Sequence, residues 1–443
     1  MIRAAVIGGG WSGLAAAVAL TRAGRQVTLL DAAPTLGGRA RALQINLAGR
    51  ECPLDNGQHL LLGAYRQTFA LLQAIGVRPS AVLQRAPLRL QSVDGLRFAP
   101  PALPAPLHLL AGLAQARGVD ARDKRALLRA FATLAARRWR VPAAAATVAQ
   151  WLDAARQPAS LRARLWEPLC VAALNTPAHA ACAQTFAHVL RDSLGGRRGD
   201  SDFVLPRTTL SDVLPAPAQR WLQAHGAQLR LRTTCRGIDA GGTRLRLDAA
   251  GEPLEFDEAV LAVPPVSLAR LLGASAPQPL QAQLSAFRYE SIATVYVGWD
   301  AGSEPALPAW TLLAAEPHRA RHGQWLFDRG TSAGLRIAGI VVSASGRGDA
   351  ISPQALADGI AAQLTEQLGV PQPLAARAIV EKRATFSCSP HRPRIAAGAL
   401  ADAMPGVAVA GDFTDPDYPA TLESAVRSGL TAARWLLSRH NAG

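Results

Sequence analysis

Four polar side chains that could move a proton or hold a ligand are crowded into one short segment. They lie in LDNGQHLLLGAY, residues 54–65, and are Asp55, Asn56, Gln58 and His59. A carboxyl and an imidazole this close together could donate or accept a proton beside a bound substrate. The segment could instead be a polar turn, with Asp55 capping the following helix and His59 making a structural hydrogen bond. Both interpretations stay open at this point.

A glycine-rich segment at the start of the chain predicts the element that positions this group. Residues 2–7 read as a buried strand, a helix follows, and a second strand, 26–30, ends in Asp31. Glycines with this spacing allow a tight turn, close approach of the backbone to a pyrophosphate, and close packing of helix on strand. Asp31 can accept ribose hydroxyls and disfavours a 2′-phosphate. The predicted dinucleotide-binding residues before it are Gly8, Gly10, Trp11, Ser12 and Gly13.

The fingerprint alone fits NAD or FAD, and the residues after it favour FAD. Gly37, Gly38 and Arg39 follow the second strand. They add backbone N–H groups and a bidentate cation that can face a phosphate. Flavoproteins with two dinucleotide-binding motifs carry this addition, and the segment resembles theirs. FAD is therefore the predicted cofactor, with Gly38 and Arg39 among its ligands.

The C-terminal segment carries a second cofactor-binding pattern. An apolar strand ends in Gly411 and Asp412, and a polar turn leads to a helix predicted to start near Ala420 or Thr421. Resemblance to the same flavoproteins implies that Asp412 holds the ribityl chain. It also implies that the N-terminus of the helix faces the flavin N1 and C2 carbonyl, where its positive dipole end stabilises negative charge.

The chain is predicted to enter one cofactor-binding domain three times. The fold class is α/β, a Rossmann-like FAD-binding domain of the two-dinucleotide-binding-motif type, interrupted by an α+β substrate domain. Cys235 lies where such flavoproteins contact the adenine through the backbone. The predicted parts of the FAD-binding domain are residues 1–94, 201–275 and 366–443. The predicted substrate domain combines a helical insertion, 95–200, with a sheet, 276–365.

Four longer segments resemble one family, and the likeness runs from end to end. They are LDNGQHLLLGAY, WEPLCVAALNTPAHAACAQTFAHVLRDSLGG, SDFVLPRTTLSDVL and AGDFTDPDYPATLESAVRSG. They resemble the squalene-associated flavoproteins of hopanoid biosynthesis, the hydroxysqualene dehydroxylases, within the wider group of carotenoid desaturases and flavin amine oxidases. Phe413 departs from the Trp expected there. Residues 415–418 are more acidic than expected, so the sequence does not define which side chains line the substrate there.

The resemblance implies a reductive reaction in which hydroxysqualene becomes squalene. Reduced flavin would donate a hydride, and the hydroxide leaving group would need a proton donor in a site shielded from water. The predicted catalytic residues are Asp55 and His59. Those expected to pass beside the flavin are Asn56, Gly57, Gln58 and His59. A long apolar tunnel is expected for the substrate.

Several polar residues elsewhere have more than one interpretation. The alternative proton donors are Tyr289, Tyr296 and Asp417. Arg191 and Asp192 fit either a buried ion pair below the substrate or a surface pair. Glu423 and Arg427 have the i,i+4 spacing of a surface ion pair.

Two other classes of function stay open. One is an oxidative polyprenoid desaturase or flavin amine oxidase, although Lys124 and Lys382 lie in no motif that would bridge a water to the flavin. The other is a non-catalytic flavin-bearing scaffold that hands prenyl intermediates between membrane-bound partners. The reductive enzyme would need a reductant for its flavin, and contact with squalene-pathway enzymes is a further expectation.

Composition limits the partners. No apolar run approaches the roughly 20 residues of a membrane span, and no dense basic run interleaved with aromatics indicates nucleic-acid binding. The net charge of +15 indicates either a solvated surface or attraction to an anionic membrane face. Five scattered cysteines indicate reduced thiols without a metal site. A cytosolic protein is predicted, with peripheral contact at the inner face of the cytoplasmic membrane as the second interpretation.

Two apolar helical faces in the helical insertion bear on whether the protein contacts a membrane. One predicted helical face carries Leu107, Leu110 and Ala114, and a second carries Leu127, Phe131 and Leu134. The basic residues opposite the second face are Arg122, Arg125, Arg129 and Arg140. Such apolar stripes are either part of the core or one side of an interfacial helix whose arginines meet lipid head groups.

Overall fold

The computed structural model describes residues 1–242, 244–302, 305–346 and 351–440. The strands, in chain order, are β1 (Arg3–Ile7), β2 (Gln26–Leu30), β3 (Ala42–Leu47), β4 (Arg50–Asp55), β5 (Leu61–Leu62), β6 (Leu83–Ala86), β7 (Leu90–Gln91), β8 (Arg97–Phe98), β9 (Phe203–Pro206), β10 (Gln228–Arg230), β11 (Cys235–Asp239), β12 (Leu245–Ala249), β13 (Glu252–Phe256), β14 (Glu258–Leu261), β15 (Tyr289–Asp300), β16 (Trp310–Leu312), β17 (Trp325–Ser332), β18 (Leu335–Ser343), β19 (Ala375–Phe386) and β20 (Val407–Val409).

The helices are interspersed among these strands along the chain. In chain order they are α1 (Trp11–Arg22), α2 (Arg66–Ala74), α3 (Pro79–Val82), α4 (Leu107–Gln115), α5 (Ala121–Ala136), α6 (Val148–Ala154), α7 (Ala159–Leu161), α8 (Glu167–Leu174), α9 (Ala183–Leu194), α10 (Leu210–Val213), α11 (Pro215–Ala224), α12 (Pro265–Leu272), α13 (Gln278–Ala286), α14 (Pro353–Leu368) and α15 (Leu422–His440). A π-helical turn joins α7 to α8, and it is Arg162–Trp166. Short 3-10 turns are Arg198–Ser201, Gly273–Ser275, Pro317–Arg319 and Asp412–Thr414.

The first sheet is parallel and joins distant parts of the chain. Its order is β10-β2-β1-β14-β20, and each of its pairings is parallel. Alternate residues of β1 enter two separate hydrophobic clusters, Ala4 and Val6 on one face and Ala5 and Ile7 on the other. Burial on both faces explains why β1 reads as a continuous apolar run. The predicted α/β fold class is confirmed.

Small residues let α1 and α15 pack closely on one face of this sheet. A Cβ at Gly429 would overlap the Ser12 carbonyl oxygen, and a Cβ at Gly13 would overlap the Gly8 carbonyl oxygen. The Ser12 and Ser428 hydroxyls meet at 2.9 Å. The end of the chain therefore packs directly against its beginning.

The second sheet is antiparallel, with the order β16-β17-β18-β15-β19. Strand β19 pairs with β15 from Phe386 opposite Tyr289 to Ala375 opposite Gly298. This strand lies within the segment 366–443 that the sequence assigned to the FAD-binding domain, so the sheet extends past the predicted boundary at residue 365. Strand β19 lies at the edge of this sheet and is partly exposed along most of its length.

The helical insertion has an aromatic core and one exposed end. Trp151, Trp166 and Phe186 are buried and have ring centroids 5.2 to 6.2 Å apart. Leu127 and Leu134 on α5 belong to this core, as expected if their helical face is part of the core rather than one side of an interfacial helix. Leu107 and Leu110 on α4 are exposed instead.

Within the described part of the chain, no helix is both long enough and apolar enough to cross a bilayer.

Candidate active site

The glycine loop after β1 is an open cradle at the carboxyl end of the first sheet. Gly8 has φ of 105°, a left-handed conformation that favours glycine, and its N–H donates to Leu30 O at 2.8 Å. Gly10 precedes the first turn of α1, and a Cβ added to it would meet only Gly38 Cα within 4 Å, at 3.9 Å. Space and unpaired first-turn amides coincide here, as an anion site requires.

Asp31 is fixed beside this loop. Its carboxylate accepts hydrogen bonds from the N–H groups of Gly9 at 2.5 Å and Ala33 at 2.7 Å. The chain just before Cys235 runs along it, since Thr233 N–H donates to Asp31 O at 2.9 Å. Cys235 is half-buried and bonds Gly237 O through its thiol, whose pKa burial raises to about 11.

Trp11 and Ser12 turn their side chains away from the cradle. The Trp11 indole N–H donates to Ala40 O at 3.2 Å, and the Ser12 hydroxyl is engaged by Ser428 at 2.9 Å. Both side chains are buried. A ligand of α1 would therefore meet these two residues through their backbone N–H groups.

Arg39 and Asp412, predicted to contact different parts of one cofactor, contact each other. The guanidinium lies 2.7 Å from the carboxylate, and it also donates to Ala384 O at 2.6 Å. The charge of Asp412 raises the pKa of Arg39. Asp412 is nearly covered while Arg39 keeps 39% of its side chain exposed, so the guanidinium forms the open edge of this pair.

The turn before α15 is held by hydrogen bonds to the first turns of that helix. Helix α15 begins at Leu422, and the Thr421 hydroxyl accepts from Ser424 N at 3.1 Å. Gly411 N–H donates to the Ser428 hydroxyl at 3.0 Å, which ties the end of β20 to α15. The phenyl ring of Phe413 is buried against Phe287, with centroids 5.6 Å apart.

The interpretation of Glu423 and Arg427 as a surface ion pair is wrong. Glu423 is buried and accepts hydrogen bonds from Gln67 N at 3.0 Å and Thr68 N at 2.9 Å. It thus caps the first turn of α2, whose amides lack partners within that helix. Arg427 instead lies 3.3 Å from Asp415. Helical spacing alone could not show that a second helix begins opposite Glu423.

Asp55 caps a helix, though a distant one. Its carboxylate accepts from Leu210 N, the first residue of α10, at 2.7 Å, and lies 3.5 Å from the Arg329 guanidinium. Burial raises its pKa to about 6, although the Leu210 hydrogen bond and Arg329 act against the shift. The Tyr296 hydroxyl donates to Asp55 O at 2.9 Å, and the Tyr296 side chain is completely buried. Tyr296, an alternative proton donor in the sequence, therefore supports the backbone at Asp55.

Residues 56–59 follow Asp55, and from Gly57 onward they are partly exposed. Asn56 N–H donates to Arg41 O at 2.9 Å, and Gln58 N–H donates to the Thr294 hydroxyl at 3.3 Å. Residues 57–60 are all partly exposed between buried neighbours. Among the described residues, the Gln58 side-chain oxygen is buried without a hydrogen-bond partner.

The His59 ring is held at one nitrogen. Nδ1 lies 2.8 Å from Gly57 O, so the neutral ring carries its proton on Nδ1 and leaves Nε2 free to accept. Burial lowers its pKa, the Gly57 hydrogen bond acts the other way, and the charges of Arg329 and Arg39 lower it further. The charges of two guanidinium groups therefore act on His59, that of Arg329 from β17 and that of Arg39 from the loop after β2.

The other polar residues singled out from the sequence are Tyr289, Asp417 and the pair Arg191 and Asp192. Tyr289 lies near Arg39, which with Arg383 opposes the rise that burial causes in its pKa. Asp417 is exposed. Asp192 is partly covered, lies 2.6 Å from Arg191, and accepts a hydrogen bond from the Tyr418 hydroxyl.

Sequence reasoning missed Arg329 and Thr294, which bring the second sheet to the 56–59 turn. Arg329 lies where the pairing of β17 with β18 is irregular, and it is followed by Gly330 with φ of 72°. A glycine inside an otherwise regular strand was the available signal, because it marks a bulge that redirects a side chain.

Comparison with known proteins identifies the family. The family model described as "Flavin containing amine oxidoreductase" matches residues 11–437. The chain belongs to this family. Members are flavin-containing, so the protein is a flavin-dependent oxidoreductase, as predicted.

Three relatives extend along the whole chain. "Hydroxysqualene dehydroxylase" of Rhodopseudomonas palustris is 30% identical over 98% of both chains. Proteins of that name from Zymomonas mobilis and Sinorhizobium fredii are 27% and 28% identical, again over 98% of both chains. The predicted resemblance is confirmed.

Solved structures of similar fold are more distant in sequence. Putrescine oxidase bound to putrescine covers 99% of both chains with a TM-score of 0.72 at 19% identity. Cyclohexylamine oxidase of Brevibacterium oxydans covers the same shares with a TM-score of 0.69 at 19% identity. These likenesses show that the chain shares the fold of the two enzymes.

Proposed function

We propose that the protein converts hydroxysqualene to squalene by reductive dehydroxylation, with FAD as its cofactor. The observation that carries the proposal is that three proteins named hydroxysqualene dehydroxylase match 98% of this chain and 98% of their own lengths. Relatedness of that extent includes the substrate-binding lobe as well as the cofactor-binding one. The amine oxidases share the fold at 19% identity, which gives the oxidative alternatives weaker support.

The residues of the cradle fit the adenosine half of FAD. Asp31 would bind the ribose hydroxyls, and the backbone around Cys235 would lie against the adenine. The first-turn amides of α1 would face the pyrophosphate. Gly10 and Gly38 leave room for it, since a Cβ added at either glycine would meet, among the described residues, only the backbone of the other within 4 Å.

The Arg39–Asp412 pair fits the middle of the same cofactor. Asp412 would hold the ribityl hydroxyls, and the exposed guanidinium of Arg39 would face the pyrophosphate. Ala420 and Thr421 would place the N-terminus of α15 against the flavin ring, where the helix dipole favours negative charge. When bound in its reduced form, the flavin supplies the hydride that replaces the hydroxyl group.

An apolar wall next to His59 would shield the reacting carbon from water. The aromatic cluster consists of Leu88, Leu90, Phe203, Trp310, Leu312, Trp325 and Phe327. Leu60, the residue after His59, packs against it. A developing allylic cation next to such a wall meets carbon and aromatic faces rather than a competing nucleophile.

His59 is the proposed proton donor. Because Gly57 O engages Nδ1, the protonated ring would present Nε2–H toward the accessible surface of residues 57–60. Protonation of the departing hydroxyl converts it to water, and hydride addition to the same carbon completes the exchange of C–O for C–H. The lowered pKa makes the imidazolium a stronger acid toward the weakly basic alcohol.

Asp55, predicted as a second catalytic group, is proposed to position the first. Its carboxylate holds α10 and faces Arg329, and its backbone carbonyl accepts from Tyr296. These contacts fix the strand end from which residues 56–59 depart. The acid at the reaction centre is therefore assigned to His59 alone.

The test is a product assay with the FAD-loaded protein. The protein is reduced with dithionite under anaerobic conditions, mixed with hydroxysqualene in detergent, and extracted for gas chromatography with mass detection. We expect squalene to accumulate together with the return of the oxidised flavin spectrum. Oxidation of the substrate to a more unsaturated polyprenoid would favour a desaturase, and bound flavin with neither product would favour the scaffold.

A further inference from the structure

Three leucines are exposed at one end of the helical insertion. Leu103, Leu107 and Leu110 expose 40%, 55% and 46% of their surfaces. Leu107 and Leu110 are three residues apart on α4 and share one face of it. Leu103 lies in the proline-rich turn that leads into the helix. Clustered apolar side chains with this exposure mark a surface that another apolar phase covers.

The same part of the chain is strongly basic. The stretch from Gly95 to Arg140 holds nine basic and two acidic residues, whereas the chain as a whole has a net charge of +15. Lys124 joins α5 to α4 by donating to Ala114 O at 2.8 Å, so the basic helix adjoins the apolar one. The exposed arginines of α5 are Arg122, Arg125 and Arg129.

The exposed leucines lie over the apolar interior of the candidate site. Leu109, between Leu107 and Leu110, is half-buried and packs against the aromatic cluster. Leu60, beside His59, packs against the same cluster. One helix thus has an outer face open to the surroundings and an inner face on the apolar wall of the site.

We propose that α4 and the turn before it dock on the surface of an anionic lipid bilayer. The three leucines enter the interfacial region, and the arginines of α5 lie at the level of the head groups. The basic charge selects anionic lipid over a second copy of this chain, which would be equally basic at this face. On the proposed function, a polyprenoid alcohol would pass from lipid to the aromatic cluster beneath α4.

Vesicle flotation of the full-length, FAD-loaded protein tests the proposal. We expect binding to phosphatidylcholine vesicles that contain phosphatidylglycerol, weak binding to pure phosphatidylcholine, and loss of binding as salt rises. Leu107→Ser with Leu110→Ser should weaken partitioning on the order of thirtyfold, because each leucine withdraws about half its surface from water on docking. Arg122→Gln with Arg125→Gln should weaken binding to the anionic vesicles alone.

Leu374→Ser is the matched control, since Leu374 is 53% exposed but lies between α14 and β19. It should leave partitioning unchanged. Equal binding to both vesicle types, or a double leucine variant that floats like the wild type, would overturn the proposal. So would a dimer, detected by light scattering, that the leucine substitutions dissociate. Squalene formation in detergent micelles is independent of docking, so its absence would count against the proposed function and not against this surface.

Discussion

His59 combines a fixed orientation with a lowered pKa, and this combination can be tested at a single residue. His59→Gln removes the titratable group but keeps a side chain that can reach Gly57 O. We expect kcat to fall by about 10²- to 10⁴-fold, the usual contribution of a general acid. FAD binding, followed by the flavin absorption spectrum, should remain.

The pH dependence has a definite sign. A donor must be protonated, and burial lowers the pKa of His59 below 6.5, so kcat should rise as pH falls below neutrality and level off under that pKa. The glutamine variant should lose this dependence. His225→Gln is the control, because His225 is an exposed imidazole stacked on Trp221. Full turnover in His59→Gln would assign the histidine a structural role.

Asp55 makes a prediction about stability rather than turnover. Asp55→Asn keeps an oxygen for Leu210 N–H, whereas Asp55→Ala removes the cap and leaves Arg329 without its carboxylate. The alanine variant should lose about 1–2 kcal/mol of unfolding free energy from the cap alone. Urea unfolding of the apoprotein measures both variants.

The raised pKa of Asp55 also fixes how that difference changes with pH. The pKa of about 6 in the folded protein exceeds the ordinary value of 3.8 that applies to the unfolded chain, so the contribution of this group is greatest below pH 4 and is lost as pH rises through 6. Relative to wild type, the asparagine variant should therefore gain up to about 3 kcal/mol between pH 4 and pH 7. A pH-independent difference would mean that Asp55 is solvated in the folded protein.

Single residues were predictable from sequence where one local rule decided them. The conformation of Gly8 and the close packing of Gly13 follow from the strand, turn and helix that surround them. The partners of Asp55 and Glu423 did not, because each caps a helix far away in the chain. Capping chemistry indicates that a carboxylate seeks free amides but does not indicate which ones.

At the scale of elements, the contact between α1 and α15 depends on the absence of one side chain. Gly429→Ala would place a methyl group on the Ser12 carbonyl oxygen. The helices would have to separate, which should lower the unfolding free energy by about 1–3 kcal/mol. The Ser12 to Ser428 hydrogen bond should weaken with it, and with that the support for Gly411 N–H.

Thermal unfolding with and without FAD checks this prediction. Gly237→Ala is the control, since no atom of the described residues lies within 4 Å of a Cβ at that position and Gly237 has no positive φ. It should leave the melting temperature unchanged. A Gly429→Ala variant as stable as wild type would show that α1 and α15 can shift apart freely.

The second sheet shows where element prediction stops. The helical insertion and the sheet of the substrate domain were predicted from the three cofactor-binding segments around them, and the predicted boundary at residue 365 leaves β19 out of that sheet. That strand is partly exposed along most of its length, and its place is set by pairing with β15. Pairing between strands that are far apart in sequence leaves no local signature.

At the scale of the whole molecule, the proposed cofactor would contact segments from both ends of the chain. FAD bound to Gly10, Asp31 and Asp412 should therefore stabilise the protein as a single unit. At a concentration 100 times Kd the gain is about 2.7 kcal/mol, given by mass action. We expect a rise in melting temperature with FAD and none with NAD at the same concentration, measured by differential scanning fluorimetry.

Arg39→Ala should reduce the rise in melting temperature with FAD, because it removes the guanidinium proposed to face the pyrophosphate and takes away the partner of Asp412. The loss of one charge-assisted contact corresponds to about a tenfold to hundredfold weaker Kd for FAD. Arg434→Ala, on the exposed side of α15, is the control. An unchanged FAD shift in Arg39→Ala would place the pyrophosphate away from this guanidinium.

The order of strands in the first sheet has a consequence for biosynthesis. Strand β1 leaves the ribosome before the other strands of this sheet, yet its partner β14 lies at Glu258–Leu261 and the neighbouring β20 at Val407–Val409. At about 5–20 residues per second, at least roughly ten seconds pass before β14 is made. During that time the apolar edge of β1 has no permanent neighbour on that side, so the nascent chain presents a target for chaperones long before it can bind a cofactor.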